Sequence, residues 1–161
     1  MQTVSPSAVE DAWNELYNTT EEHAGDLVDE FVREQPHLAE ILGAAEEQIN
    51  AIDDRGFLLL YGVWAWLAFR KAGRSRHAVS SVVAEATLAR NQRDASWLEG
   101  AADKPLLDAA TSFTRDYRQW PLFSAMISDI MQGELEREES ADDITGILLI
   151  HAKSVIDALD A

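Results

Sequence analysis

The sequence predicts an all-α protein: a single-domain bundle of seven or eight short helices around a central apolar helix at about residues 53–72. Three observations support this class. Apolar residues recur at helical spacing along most of the chain, no β-branched run alternates with polar residues, and one uncharged segment, Phe57–Phe69, lies near the middle. Helical periodicity without strand periodicity is typical of a helix bundle.

The uncharged segment is thirteen residues long and contains Trp64 and Trp66. Residues two apart on a helix point in different directions, so this helix must be covered on several sides. It falls short of the ~20 apolar residues that span a bilayer. We therefore expect a buried core helix.

Residues at its ends and middle add detail. Asp53 and Asp54 suit the N-cap and first turn, and Gly73 suits the C-cap. Gly62 lies inside the helix, where glycine costs about 1 kcal/mol relative to alanine. We expect it to allow a close approach by a neighbouring backbone.

Helix-start and stop residues give the other elements in order. Pro6 opens a first helix, and Thr19 with Glu22 resembles a capping box for a second helix. The clearest 3.6-residue stripe belongs to the third helix. The fourth helix is the central one. The other predicted helices are a third that begins at Pro36, a fifth from about Ala78 to Glu99, a sixth from Pro105 to about Tyr117, a seventh that begins at Pro121, and a last from about Asp142 to Leu159.

Two parts of the chain, about 22–73 and 107–161, suggest an internal repeat. Their alignment superimposes Arg33 on Arg118 and Pro36 on Pro121. Chance similarity between amphipathic helices remains the alternative. In the last helix the second copy carries polar residues that we expect to form one wet face: Lys153, Asp157 and Asp160.

The formal net charge of −16 argues against nucleic acid or anionic lipid as a partner. Two explanations compete for it. One is a solvated surface that keeps the protein soluble, with adaptation to high intracellular salt as a special case. The other is a mimic of the DNA phosphate backbone that would occupy a basic partner. We favour the first, since net charge bears on solubility more than on activity.

Further limits come from composition and the N-terminal residues. The chain has no cysteine, which excludes disulfides and thiolate chemistry. The first residues, MQTVSPSAVEDAW, do not resemble a secretory signal. A cytoplasmic location is the resulting expectation.

Histidine and glutamate clusters offer weak signals for a metal. Glu34 and His37 have metal-ligand spacing, but Pro36 assigns them to different helices. The glutamates at 46–47 and 134–139, which raise the idea of a metal-dependent nucleotide hydrolase, look outward or loop-bound. We predict no metal, no cofactor and no catalytic residues. His151 falls on an apolar stripe and is read as a hydrogen-bonded core residue.

Basic residues cluster in one place, between Arg70 and His77. Cations at a helix C-terminus neutralise its dipole, worth ~0.3–1 kcal/mol each. Docking of acidic N-terminal segments is an equally ordinary role. Anion or phosphate binding is the alternative.

The fifth helix carries the one candidate ligand site. An apolar stripe through Val79 and Val83 continues at the same spacing into Arg90, Arg93 and Trp97. Arginines on a core-facing stripe need carboxylates or a ligand anion. Internal pairing is the default, and an anion pocket formed by Arg90, Arg93 and Trp97 is the alternative.

No catalytic constellation is visible, so the leading hypothesis is a non-enzymatic helical interaction or scaffold protein. Its partner would be a second copy of itself or another protein, with no nucleic acid and no membrane. The second hypothesis is a small anionic-ligand-binding protein, and the third is the metal-dependent nucleotide hydrolase.

Overall fold

The computed structural model describes residues 2–49, 57–74, 77–95, 116–136 and 142–161. Within these ranges it contains helices and no strand, which confirms the all-α prediction. The predicted helix from Pro105 to about Tyr117 lies largely outside the described residues. No described helix combines the length and apolarity needed to cross a membrane. The helices are α1 (Pro6–Tyr17), α2 (Glu21–Glu34), α3 (Pro36–Glu46), α4 (Phe57–Lys71), α5 (Ser81–Arg93), α6 (Trp120–Glu136) and α7 (Asp142–Asp160).

The central position of α4 is confirmed. Ten of its residues are buried, and it packs against α1, α2, α3, α6 and α7. Trp64 and Trp66 are each 3% exposed and point to different neighbours, as their spacing predicts. The ring of Trp64 lies 4.6 Å from that of Trp13 in α1, and the ring of Trp66 lies 5.9 Å from that of Phe31 in α2.

The C-terminus of α4 ends in the predicted glycine cap. Gly73 has a φ of 73°, which glycine adopts without a Cβ clash. Its N–H donates to the carbonyl of Arg70 at 3.1 Å, and the N–H of Arg74 donates to the carbonyl of Phe69 at 3.0 Å. These two bonds form a Schellman motif, which satisfies carbonyls that the helix leaves unpaired.

The N-terminus of α4 is capped from a distant part of the chain. Glu46 Oε1, at the end of α3, accepts a hydrogen bond of 2.9 Å from the N–H of Leu59. A carboxylate at this position also favours the positive end of the helix dipole. The predicted capping residues Asp53 and Asp54 lie outside the described residues.

Gly62 does mark a close approach, but the neighbours are side chains rather than a backbone. A Cβ at this position would lie 2.5 Å from Leu42 Cδ1 and 3.0 Å from the tip of the Phe31 ring. Both side chains are fully buried. The absent side chain of Gly62 therefore lets α2 and α3 pack tightly against α4.

The cap of α2 corrects a sequence prediction by one residue. Thr20, not Thr19, is the N-cap, and its hydroxyl accepts a hydrogen bond of 3.2 Å from the N–H of His23. The expected Glu22 partner therefore does not occupy the third helical position of a capping box.

The last helix, α7, lacks the wet face that its polar residues predicted. The side chains of Lys153, Asp157 and Asp160 are only 13%, 10% and 10% exposed. Lys153 and Asp157 pair with each other and contact Arg90 and Asn91 of α5. Asp160 pairs with Arg74, which follows α4, and with Arg118, which precedes α6. The internal repeat, which no structural comparison tests, stays a prediction.

Candidate functional site

An open groove of about 750 Å³, here called the tryptophan groove, lies between α1 and α6. On α1, its lining forms a single helical stripe: Pro6, Val9, Glu10 and Trp13. On α6, the lining residues follow the same periodicity: Trp120, Pro121, Ser124, Ala125, Ser128 and Asp129. Trp64 of α4 is buried and forms the floor.

Contacts at both ends of the tryptophan groove show how α1 and α6 are oriented. The N–H of Val4, just before α1, donates to Gln119 Oε1, just before α6, at 2.9 Å. Asp129, about two and a half turns along α6, lies close enough to Tyr17 at the end of α1 to affect its ionisation. The two helices therefore run in the same direction along the groove.

The tryptophans of the groove differ in how their rings are engaged. Trp64 Nε1 donates to the carbonyl of Val9 at 3.0 Å. The ring of Trp13 stacks on that of Tyr17 at 3.8 Å between centroids. Trp13 and Trp120 remain half-buried, so part of each ring faces the groove.

Asp129 supplies the polar end of the tryptophan groove. Its Oδ2 accepts a hydrogen bond of 2.6 Å from Tyr61 Oη. Burial and the negative charge of Asp129 raise the pKa of Tyr17 above its ordinary value, so its phenol stays neutral. The hydroxyl of Tyr17 is buried and has no hydrogen-bond partner among the described residues.

The sequence-predicted ligand site on α5 is arranged differently from expectation. Arg90 and Arg93 lie on the exposed face, and Trp97 lies outside the described residues. The prediction that the stripe through Val83 faces the core is wrong, because the side chain of Val83 is 37% exposed. Anion binding at these residues stays a prediction. Helix α5, capped by Ser80, instead buries Ala84, Thr87 and Asn91.

Polar residues line the buried face of α5 because they meet a carboxylate on α7. Asp157 Oδ2 accepts hydrogen bonds from Lys153 Nζ at 2.7 Å and from Asn91 Nδ2 at 3.0 Å. Its Oδ1 accepts one from Tyr117 Oη at 2.5 Å, and the guanidinium of Arg90 lies 3.4 Å away. Buried polar groups are stable when paired in this way.

These partners set the ionisation of the network. Burial alone would raise the pKa of Asp157, but the hydrogen bonds from Lys153, Tyr117 and Asn91 and the charge of Lys153 outweigh it and lower that pKa. Burial and the neighbouring Asp157 charge raise the pKa of Tyr117 above its ordinary value. At neutral pH the network thus holds an ionised carboxylate and a neutral phenol.

A second carboxylate near the C-terminus is equally well paired. The carboxylate of Asp160 lies 3.0 Å from the guanidinium of Arg74 and forms a second ion pair with Arg118. It also accepts a hydrogen bond of 2.9 Å from Gln119 Nε2. Its oxygens are occupied by these donors. We therefore assign the Asp157 and Asp160 clusters to holding α7 in place rather than to ligand binding.

Three basic residues of the cluster, Arg70, Lys71 and Arg74, are paired within the protein, in agreement with the ordinary interpretation of the cluster. Arg70 pairs with Glu30 at 2.8 Å, and Lys71 pairs with Glu15 at 2.5 Å. The guanidinium of Arg74 also donates to the carbonyl of Gln2 at 2.8 Å. Acidic N-terminal helices thus dock on the C-terminus of α4.

Histidines take structural or surface positions. His151 is 6% exposed, and its Nδ1 lies 2.7 Å from the carbonyl of Ile147, which confirms it as a hydrogen-bonded core residue. His37 lies 3.9 Å from the exposed Glu40. Within the part of the chain that the structure describes, no three His, Asp or Glu side chains group so as to hold a metal.

The tryptophan groove was not found from the sequence. Val9 and Trp13 carry the periodicity of an ordinary core stripe, and nothing local reveals that α6 leaves a gap opposite them. The one available signal was the acidic residue beside each apolar stripe, Glu10 on α1 and Asp129 on α6.

The chain matches no protein-family model, no curated protein and no solved structure.

Proposed function

We propose that this is a non-enzymatic binding protein that takes an apolar organic ligand in the tryptophan groove. The observation that carries the proposal is the groove itself, an open, mainly apolar concavity of about 750 Å³ with three tryptophans in its lining. Small-molecule sites are typically concave, largely apolar, and about 300–1,000 Å³ in volume.

The composition of the groove supports ligand binding over catalysis. Its polar side chains are two hydroxyls, at Ser124 and Ser128, and two carboxylates, at Glu10 and Asp129. Ser124 Oγ already donates to the carbonyl of Pro121 at 3.2 Å. These groups suit orientation of a bound molecule, while the aromatic rings supply contact area.

This proposal changes both parts of the small-ligand hypothesis: the site moves from α5 to the groove, and the ligand changes from an anion to an apolar molecule. Self-association stays a prediction. Pairing two copies groove to groove would bring acidic rims together in a protein of net charge −16, and like charges disfavour such contact. Size-exclusion chromatography with light scattering tests it directly.

A groove-filling substitution tests the proposal. Ala125 lines the groove and Ala86 is exposed in the middle of α5, so Ala125→Trp and Ala86→Trp form a matched pair. The probe is the neutral dye N-phenylnaphthylamine, whose emission rises in apolar surroundings. We expect binding by the native protein and by Ala86→Trp, and its loss in Ala125→Trp with an unchanged far-ultraviolet dichroism spectrum. Equal binding by both variants would show that the dye binds elsewhere.

A further inference from the structure

We propose that the ligand of the tryptophan groove is an organic cation, an aryl-substituted ammonium compound whose charged group lies against Asp129. The apolar body would lie along the half-buried rings of Trp13 and Trp120. This inference rests on the proposed function and adds the charge of the ligand to it.

The charge of the groove complements a cation. Of the eleven lining residues that the structure describes, two are acidic, Glu10 and Asp129, and none is basic. The whole chain adds a net charge of −16. The field at the groove therefore attracts cations and repels anions.

Asp129 has acceptor positions that the described residues leave unused. A carboxylate has about four acceptor positions. Within the described part of the chain, Tyr61 is the only hydrogen-bond donor to Asp129, and no basic side chain pairs with it. Asp157 and Asp160 each have several donors, so Asp129 differs from the carboxylates that hold the fold together.

This protein repeatedly places a cation between an aromatic ring and a carboxylate. Arg70 lies 5.2 Å from the centre of the Trp66 ring and pairs with Glu30. Lys153 lies 4.8 Å from the centre of the Tyr117 ring and pairs with Asp157.

The tryptophan groove contains the same two components, aromatic faces and a carboxylate, without a cation of the chain itself among its lining residues. A cation over an aromatic face is attracted by the ring quadrupole, and more strongly when the pair is desolvated. An ammonium ligand would complete the arrangement at Asp129, whose carboxylate would also accept a charge-assisted hydrogen bond.

The test uses three probes that differ in charge and share one ring system: naphthylethylammonium, naphthylethanol and naphthylacetate. Their dissociation constants are measured by isothermal titration calorimetry at low ionic strength. We expect the ammonium compound to bind at least about 10-fold more tightly than the alcohol, and the carboxylate to bind more weakly than both. Added salt should weaken the binding of the ammonium compound selectively.

A charge-matched pair of variants assigns the preference to Asp129. Asp129→Asn and Asp26→Asn each remove one negative charge, and Asp26 is exposed on α2. We expect Asp129→Asn to remove most of the preference for ammonium over alcohol while alcohol binding persists. Asp26→Asn should keep the preference. If Asp129→Asn does not fold, the native protein still tests the charge of the ligand, and Asp129→Ser, which also removes the carboxylate, tests its position.

The outcomes separate this inference from the proposed function. Equal binding of ammonium and alcohol, with loss of both in Ala125→Trp, would overturn the cation inference and leave the groove as an apolar ligand site. An equal loss of preference in Asp129→Asn and Asp26→Asn would overturn the role of Asp129. No binding of any probe or of the neutral dye would overturn both proposals.

Discussion

Buried charge is tolerated in this protein where one carboxylate gathers several donors. Asp157 accepts hydrogen bonds from α5, from α7 and from the segment before α6, so it joins three parts of the chain. Removing one partner of a buried ion pair leaves the other uncompensated. The stability of the protein should therefore depend strongly on this single side chain.

We expect Asp157→Ala to lower the free energy of unfolding by about 3–5 kcal/mol, because Lys153 would remain buried without its counter-charge. Urea denaturation followed by circular dichroism measures the change. The control is Asp26→Ala on the exposed face of α2, expected to stay within about 0.5 kcal/mol of the native protein. A loss no larger than that of the control would contradict the assignment.

His151 gives the protein an acid-sensitive position. Burial lowers its pKa, and the hydrogen bond to the carbonyl of Ile147 offsets this only in part. A folded-state pKa below the unfolded value of about 6.5 means that the associated stability is fully present above that pH and is lost as the pH falls.

His151→Gln should therefore flatten the decline in unfolding free energy below about pH 6.5, since glutamine does not become charged. Urea denaturation at a series of pH values measures the slope. Replacing the exposed His37 by Gln serves as the control and should leave the slope of the native protein in place. An unchanged slope in His151→Gln would contradict the prediction.

At the scale of elements, packing of α2 and α3 on α4 depends on one missing side chain. Gly62→Ala gains helix propensity of about 1 kcal/mol. Its Cβ, however, would lie 2.5 Å from Leu42 Cδ1, and overpacking a core typically costs about 1–3 kcal/mol. Because Leu42 and Phe31 are fully buried, we expect net destabilisation.

Gly25→Ala on α2 is the matched control, since nothing lies within 4 Å of the position of its Cβ. We expect it to stabilise the protein by about 0.5–1 kcal/mol. Thermal denaturation of the two variants should therefore shift the midpoint in opposite directions. A gain in both would show that α2 and α3 can move away from α4 at little cost.

At the scale of the whole molecule, repulsion among acidic residues opposes folding. The net charge is −16, and salt screens exposed charges more than paired, half-buried ones such as Arg70 with Glu30. We expect the unfolding free energy to rise as sodium chloride increases from about 0.01 M to about 1 M.

Urea denaturation at each salt concentration measures this dependence. A double variant, Asp26→Asn with Asp29→Asn, removes two exposed charges on α2 and should show a shallower dependence. Stability that falls with salt would mean that the ion pairs outweigh the general repulsion.

The same distinction of scale explains what sequence reasoning recovered. Apolar periodicity predicted the helices and the central place of Phe57–Phe69, because burial of that many large side chains is the dominant local requirement. The glycine cap at Gly73 and the hydrogen-bonded core position of His151 followed from equally local rules. The prediction placed Arg90 on the buried face of α5 because it took the apolar residues Val79 and Val83 to mark that face. The buried face instead carries the polar residues Thr87 and Asn91, and Arg90 is exposed.

The amino-acid sequence by itself determined an all-α bundle around one apolar helix, since helix formation and burial are set by residues a few positions apart. Only the tertiary structure decided which polar residues go inside, because Asn91 and Asp157 are buried through partners brought from distant segments. It also decided the tryptophan groove, since a gap between α1 and α6 depends on how two helices that are distant in sequence pack on either side of Trp64.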